Sequence, residues 1–468
     1  MIITLLPETL LLLLIVVLFV MVVRRPGQDV AGTWLPMACL AVLAAAGVSL
    51  GQSALVFGGT YKVDALSQFM KMAIGLGLFM AVTNARNQAT LKEPLRADYY
   101  LLLCTSAWGL MLLASSVELM TIYISLEISS YSLYALIPLR AGDRRAAEAG
   151  IKYVLFGAAA TAVSLYGFAY ITAAQHTTFL AELADRSWDF AANPGAVVGL
   201  VMFMAGFMYK LALFPFHFWC PDVYQGASNE TAAFAATLPK LGAVVVLVRL
   251  ASLLVPGQPV MTILAILGAV SMTFGNLSAL VQKDVKRMLG YSSIAHAGYV
   301  TIGLVAGTAE GLASAAFYAL VYMLMNLTCF WVVCHLSRDG RNMEYEDLDG
   351  LHQRSPILAF VLAVAAFSLV GLPPTAGFMG KLFLLTATWG HGYDWLVIIA
   401  ALNTAISIYF YLSLVRHAYT HDPSATPVPS KDGGLALGTV FAGLVLFLGV
   451  LPAPVYDLAV KAGQALLP

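Results

Sequence analysis

Apolar runs of roughly twenty residues, each long enough to cross a bilayer as a helix, recur along the whole chain and are separated by short stretches of charge, glycine or proline. They extend over 3–23, 33–57, 63–83, 98–115, 117–138, 146–174, 196–223, 228–254, 259–282, 286–306, 310–337, 355–390, 393–420 and 434–454. The pattern predicts an all-α integral membrane protein with about fourteen transmembrane helices. Two runs are too long and carry proline in the middle, the seventh at Phe214-Pro215 and the twelfth at Gly371-Leu372-Pro373-Pro374. Proline removes a backbone donor and clashes with the preceding turn, so both are expected to be broken helices whose loose backbone lines a polar cavity. Broken helices five spans apart suggest two inverted five-helix repeats, spans 4–8 and 9–13. The expected units are an N-terminal three-helix segment at 1–97, the repeats at 98–254 and 255–421, and a C-terminal helix at 422–468.

Composition agrees with that class: 60% of residues are hydrophobic and 11% charged, at a mean hydropathy of +0.83. A zero formal net charge gives no reason to expect nucleic acid. The five cysteines, Cys39, Cys104, Cys220, Cys329 and Cys334, form no CxxC pair and no zinc or iron–sulfur spacing, and read as small core residues. The first run lacks a basic leader and a small-residue cleavage site, so it is expected to stay attached as the first span. Basic residues are strongly asymmetric. Sixteen follow odd-numbered spans, while only Lys62, Arg186, Arg249 and Lys461 follow even-numbered ones or lie at the C-terminus. The positive-inside rule makes the odd loops cytoplasmic and both termini periplasmic.

The remaining five basic residues, Lys71, Lys152, Lys210, Lys240 and Lys381, fall inside the apolar runs. A cation in hydrocarbon is expensive and points to an ion or proton path, and lysine, unlike arginine, can give up its proton when desolvated. Glu127 lies mid-span in YISLEISSYSLYAL, and Lys210 lies five residues before Pro215. A buried Glu–Lys pair works as a proton switch: both stay charged when close, and the lysine tends to neutrality when they are drawn apart. Lys240 in LPKLGAV and Lys381 in GFMGKLFLL supply two further stations. His296 reads either as a relay between them or as a hydrogen-bonded core histidine. Lys152 reads either as a group feeding protons inward or as a snorkelling side chain. Lys71 is expected to be structurally paired with Asp64, two turns away on one helix face. His217 is expected to satisfy backbone or gate, and Glu8 and Glu118 to be solvated or to cap helices.

In order and spacing, FPFHFWCPDVYQGA, LPKLGAV, VKRMLGYSSIAHAGY and LPPTAGFMGKLFL resemble the antiporter-like membrane subunits of respiratory complex I, and among them subunit N of NADH-quinone oxidoreductase. The resemblance runs from Leu6-Pro7-Glu8 to the last span. It implies that Glu127 and Lys210 form the family's Glu–Lys pair, that Lys240 and Lys381 are its central and terminal lysines, and that Lys152 and His296 are accessory to a hydrophilic axis. It also implies a multi-pass bacterial inner-membrane location, with membrane-arm and peripheral-arm subunits as partners, the latter carrying FMN, iron–sulfur clusters and quinone. One departure stands out: where the family has Gly-Ala-Pro-Thr, this chain reads Gly226-Ala227-Ser228-Asn229-Glu230.

With no dinucleotide fingerprint and no cluster or haem ligation pattern, the chain is expected to hold no cofactor or metal of its own and to be driven by its partners. The expected activity is proton translocation as a subunit of NADH:quinone oxidoreductase. The alternatives are a cation/proton antiporter subunit, and a structural spacer within the membrane arm.

Overall fold

A computed structural model describes residues 3–24, 31–86, 88–140, 143–337, 339–422 and 434–466, so Arg25, Arg338 and Lys431 of the basic-loop pattern lie outside the described residues. Among the described residues the regular structure is helical apart from one small hairpin. In order come α1 (Leu6–Arg24), α2 (Leu35–Val48), strands β1 (Ala54–Val56) and β2 (Tyr61–Val63), α3 (Ala65–Ala85), α4 (Arg96–Ser115), α5 (Leu119–Leu136), α6 (Arg144–Gln175) and the short α7 (Leu180–Ala184). Next are α8 (Pro194–Leu211), α9 (Trp219–Gly226), α10 (Asn229–Ala235), α11 (Leu238–Ala251), α12 (Pro259–Ala279), α13 (Val285–Val305) and α14 (Ala309–Leu336). The chain closes with α15 (Leu351–Arg354), α16 (Pro356–Val370), α17 (Ala376–Thr388), α18 (Asp394–Tyr419), α19 (Gly434–Val450) and α20 (Ala453–Gln464).

Among the described residues ten helices are long and apolar enough to span a bilayer, or eleven if α19 and α20, bent by 69°, count as one. The shorter α2, α16 and α17 are apolar as well. Burial sorts the helices by solvent. α14 from Gly311 to Cys334 and the 229–251 stretch are buried throughout, whereas α1, α6 and α18 expose Leu13, Val17, Leu155, Tyr166, Ile398 and Leu402. Such faces suit a lipid solvent, against which apolar side chains lose nothing.

Both expected breaks are present. α8 ends where Ala212 turns left-handed (φ 63°), and α16 ends at Gly371 (φ 89°). The Phe214-Pro215 and Pro373-Pro374 peptide bonds are cis. A third break was not expected. The eighth run divides into α10 and α11 at Thr237 (φ −127°, ψ −72°), because Pro239 in the first turn of α11 cannot donate back and Thr237 Oγ1 bonds instead to Ala233 O at 2.7 Å. The second run is also shorter than its hydropathy suggested. α2 stops at Val48, and Ala54–Val56 pairs with Tyr61–Val63 as an antiparallel hairpin, since a short apolar run carries no period to separate strand from helix. The 97/98 unit boundary falls inside α4, and the 254/255 boundary falls between α11 and α12.

Two expectations about ion pairs are corrected. Lys71 does not pair with Asp64: its partner is Glu8 of α1, which is 4% exposed rather than solvated and also accepts from Tyr61 Oη. Asp64 instead caps α3, accepting from Ser67 N at 2.9 Å, and receives both terminal nitrogens of Arg249 at 2.9 Å. Arg249, read from the sequence as a loop residue, is thus a buried helix residue. Lys286 is another, fully buried in the first turn of α13. Glu118 caps α5 as expected, through Thr121 N at 2.8 Å.

Candidate functional site

The three breaks leave helix ends inside the bundle, and a helix C-terminus carries carbonyls with no intrahelical donor and a partial negative charge. At the end of α8, Met208 O and Tyr209 O are satisfied by Ala212 N–H, and Tyr209 O also accepts from Trp219 Nε1 at 2.9 Å. Leu211 O accepts from Lys240 Nζ at 2.8 Å. At the end of α16, Val370 O accepts from Lys381 Nζ at 2.8 Å. Each of these two lysines is therefore held by the open end of a broken helix, and each is almost fully buried.

Lys240 lies in the first turn of α11, just past the break at Thr237. Its Nζ also meets Ser293 Oγ, which bonds Tyr322 Oη at 2.6 Å and Tyr224 Oη at 2.9 Å. A small space of about 10 Å³, the size of a single water, touches Lys240, Ser293, His296 and Tyr322. His296 continues the line: Nδ1 pairs with Tyr318 Oη at 2.6 Å, and Nε2 with Tyr411 Oη at 3.0 Å. Lys381 stands 4.4 Å over the Tyr299 ring and 3.5 Å from Thr404 Oγ1, and Thr404 in turn bonds Tyr299 Oη at 2.7 Å.

Lys210, in the last turn of α8, sits in a tyrosine cage. Its Nζ donates to Tyr153 Oη at 3.0 Å and lies 5.0–5.7 Å from the Tyr134, Tyr153 and Tyr209 rings, within cation–π range. Glu127, on α5, accepts from Thr161 Oγ1 at 3.0 Å. No ion pair joins Glu127 to Lys210 in this conformation; the tyrosine cage surrounds the lysine instead. Lys152 belongs elsewhere. Half-exposed on α6, it meets Glu148 at 2.7 Å and Asp222 at 2.6 Å, and Asp222 also binds Arg287 at 2.6 Å. These groups line an open cavity of about 270 Å³. His217 is buried against Phe214, Phe218 and Phe274.

The structure brings Lys240, His296 and Lys381 into one polar line, sets Glu127 and Lys210 at its flank without direct contact, and leaves Lys152 at a surface mouth. The tyrosines were missed in the sequence. Their signal was present for some: Tyr318 and Tyr322 are one turn apart on the same face of an apolar helix, a spacing that packing alone does not demand.

Comparison with known proteins agrees with this architecture. A family described as NADH:quinone oxidoreductase/Mrp antiporter, TM, matches residues 116–407. Over 466 residues the chain is 62% identical to NADH-quinone oxidoreductase subunit N 2 of Solidesulfovibrio magneticus, with 99% of each chain covered. It is similar to a chain of respiratory complex I from Thermus thermophilus with bound aureothin, at 34% identity and TM-score 0.85 over 97% of this chain and 99% of that one. It also shares a fold with a chain of the Mrp complex from Dietzia sp., at TM-score 0.85 and 18% identity, over 98% of this chain and 97% of that one.

Proposed function

The chain belongs to the subunit N family of NADH-quinone oxidoreductase, antiporter-like, proton-translocating membrane subunits that work with the other subunits of complex I in the inner membrane, and on that premise we propose which of its groups carry the protons. The path runs from the Lys152–Asp222–Arg287 mouth, past the Glu127–Lys210 pair, to Lys240, His296 and Lys381. Its driving force comes from redox chemistry in partner subunits holding FMN, iron–sulfur clusters and quinone. The chain itself contributes proton conduction and no redox centre.

The carrying observation is that Lys240 and Lys381 donate to the open ends of α8 and α16. An ammonium there is favoured by the carbonyl acceptors and the helix field. Drawing the helix end away removes both, and the lysine loosens its hold on the proton in surroundings too apolar to support a free cation. A small movement of a broken helix thereby becomes proton release. Glu127 exerts the same control on Lys210: approach holds the proton, and the separated geometry leaves only neutral tyrosine partners. Ser293, Tyr322, Tyr318 and Tyr411 carry hydroxyls that both donate and accept, as relays require.

On this reading the odd-numbered loops are cytoplasmic and both termini periplasmic, and spans 4–8 and 9–13 act as paired half-units. Lys240→Arg and Lys381→Arg test it in the assembled oxidoreductase. Arginine keeps the charge and cannot titrate, so proton uptake should fall while assembly persists; full pumping by both variants would overturn the assignment.

A further inference from the structure

A second group of buried polar residues gathers away from that line, at the end of the bundle that carries Gln88, Arg140 and Ser337. Glu230, in the first turn of α10, is fully buried. Its Oε1 accepts from Thr90 Oγ1 at 2.6 Å, and its Oε2 accepts no hydrogen bond. The cations facing it are engaged elsewhere: Lys286 Nζ donates to Ala227 O at 2.8 Å, and beyond it Arg140 donates to the carbonyls of Gly226 and Gly340 at 3.1 and 2.7 Å. Tyr99 of α4 and Cys334 of α14 also face Glu230, and Asp284 lies beyond Lys286.

Four amide oxygens share its condition. Asn229 Oδ1, Gln88 Oε1, Asn84 Oδ1 and Asn326 Oδ1 are buried and accept no hydrogen bond. Their own amide donors are engaged on backbone carbonyls, Asn229 Nδ2 on Ser337 O at 3.1 Å. Gln88 Nε2 reaches Asn84 O and Cys334 O, Asn84 Nδ2 reaches Leu327 O, and Asn326 Nδ2 reaches Tyr322 O. Asn326 is one turn along α14 from Tyr322, whose ring lies under Lys240 at 5.7 Å. The end of α3 and one face of α14 thus carry a strip of acceptors from Glu230 to the Lys240 site.

Orphaned buried acceptors are costly, and all five here call for O–H or N–H donors. Buried water is the ordinary donor in such places. We propose that this strip holds a chain of water molecules, that Glu230 is its outer protonatable group, and that it forms a second loading branch meeting the main line at Lys240. The branch rests on the reading of Lys240 as a proton station. Asn229 and Glu230 lie in the Gly226–Glu230 stretch where the chain departs from the family's Gly-Ala-Pro-Thr.

The test uses the assembled oxidoreductase in membrane vesicles with proton uptake followed against pH. Glu230→Gln keeps the Thr90 contact and cannot take up a proton; Asn326→Leu dries the strip without touching Glu230. In both, the alkaline limb of the uptake profile, where proton supply limits, should move down by about one pH unit, and Glu230→Asp should restore it. Infrared difference spectra in H₂O and D₂O should show an exchangeable carboxyl band that Glu230→Gln abolishes. A wild-type profile in Asn326→Leu, even if Glu230→Gln fails to assemble, would overturn the branch. Full pumping by Lys240→Arg would instead remove the station it feeds, so the two failures are distinct.

Discussion

The ammonium of Lys240 donates to the carbonyl oxygen of Leu211, the last residue of α8, at 2.8 Å. Lys381 repeats this relation with Val370, the last residue of α16, also at 2.8 Å. The two lysines arrive by different routes. Lys240 comes from the next span, and Lys381 from the second half of the same broken span, so the shared chemistry is a cation on an open helix end rather than a residue-for-residue repeat.

Substituting arginine separates charge from titration. Lys240→Arg and Lys381→Arg are expected to assemble and pump poorly, because arginine stays charged under all working conditions. Lys71→Arg is expected to pump nearly normally, since Glu8 asks only for a cation. Vesicle proton uptake, normalised to assembled complex, checks all three.

The Glu127–Lys210 relation makes a different prediction. Lys210→Ala and Glu127→Gln should each cut pumping severely, and the double variant should be no worse than either single, as for residues acting as one unit. Tyr153→Phe removes the hydroxyl that Lys210 donates to while preserving the ring, so it should slow proton uptake without preventing assembly. Additive losses in the double variant would count against the coupling.

Orientation is testable from outside. Cysteines introduced at Arg144 and at Arg341, the latter 67% exposed, should react with impermeant reagents only from the cytoplasmic face, where the positive-inside rule puts their loops. Labelling of intact cells at either position would reverse the topology and the direction of transport with it.

Asp64 and Arg249 predict a pH dependence of stability. Burial pushes the Asp64 carboxyl up, but Arg249 and the Ser67 N–H outweigh it and bring it to about 2. That is below its unfolded value of about 3.9, so the pair stabilises fully above that value and the contribution is lost as pH falls through about 2. Asp64→Asn leaves a buried guanidinium without its counter-charge and should cost roughly 3–5 kcal/mol near neutrality, with the gap to wild type closing in acid. Thermal unfolding of the solubilised complex across pH measures it.

The amino-acid sequence by itself determined the class, most span positions and the lysines and Glu127 that lie mid-span, because hydrocarbon punishes every exposed backbone and every idle charge; it did not mark Arg249, Lys286 and Glu230 as buried. Two breaks were legible through Pro215 and the Gly371–Pro374 cluster. The third, at Thr237, escaped because Pro239 sits where it also suits a helix start. Partners were another matter. Glu8 rather than Asp64 meets Lys71, and Arg249 crosses from α11 to Asp64, since pairing depends on which helices lie side by side and not on spacing within one helix. Only the tertiary structure decided that the tyrosines ring the lysines, that Lys152 stands at a mouth, and that Lys240 and Lys381 each close a broken helix. Those relations join residues from eleven to more than a hundred positions apart, and local chemistry carries no record of them.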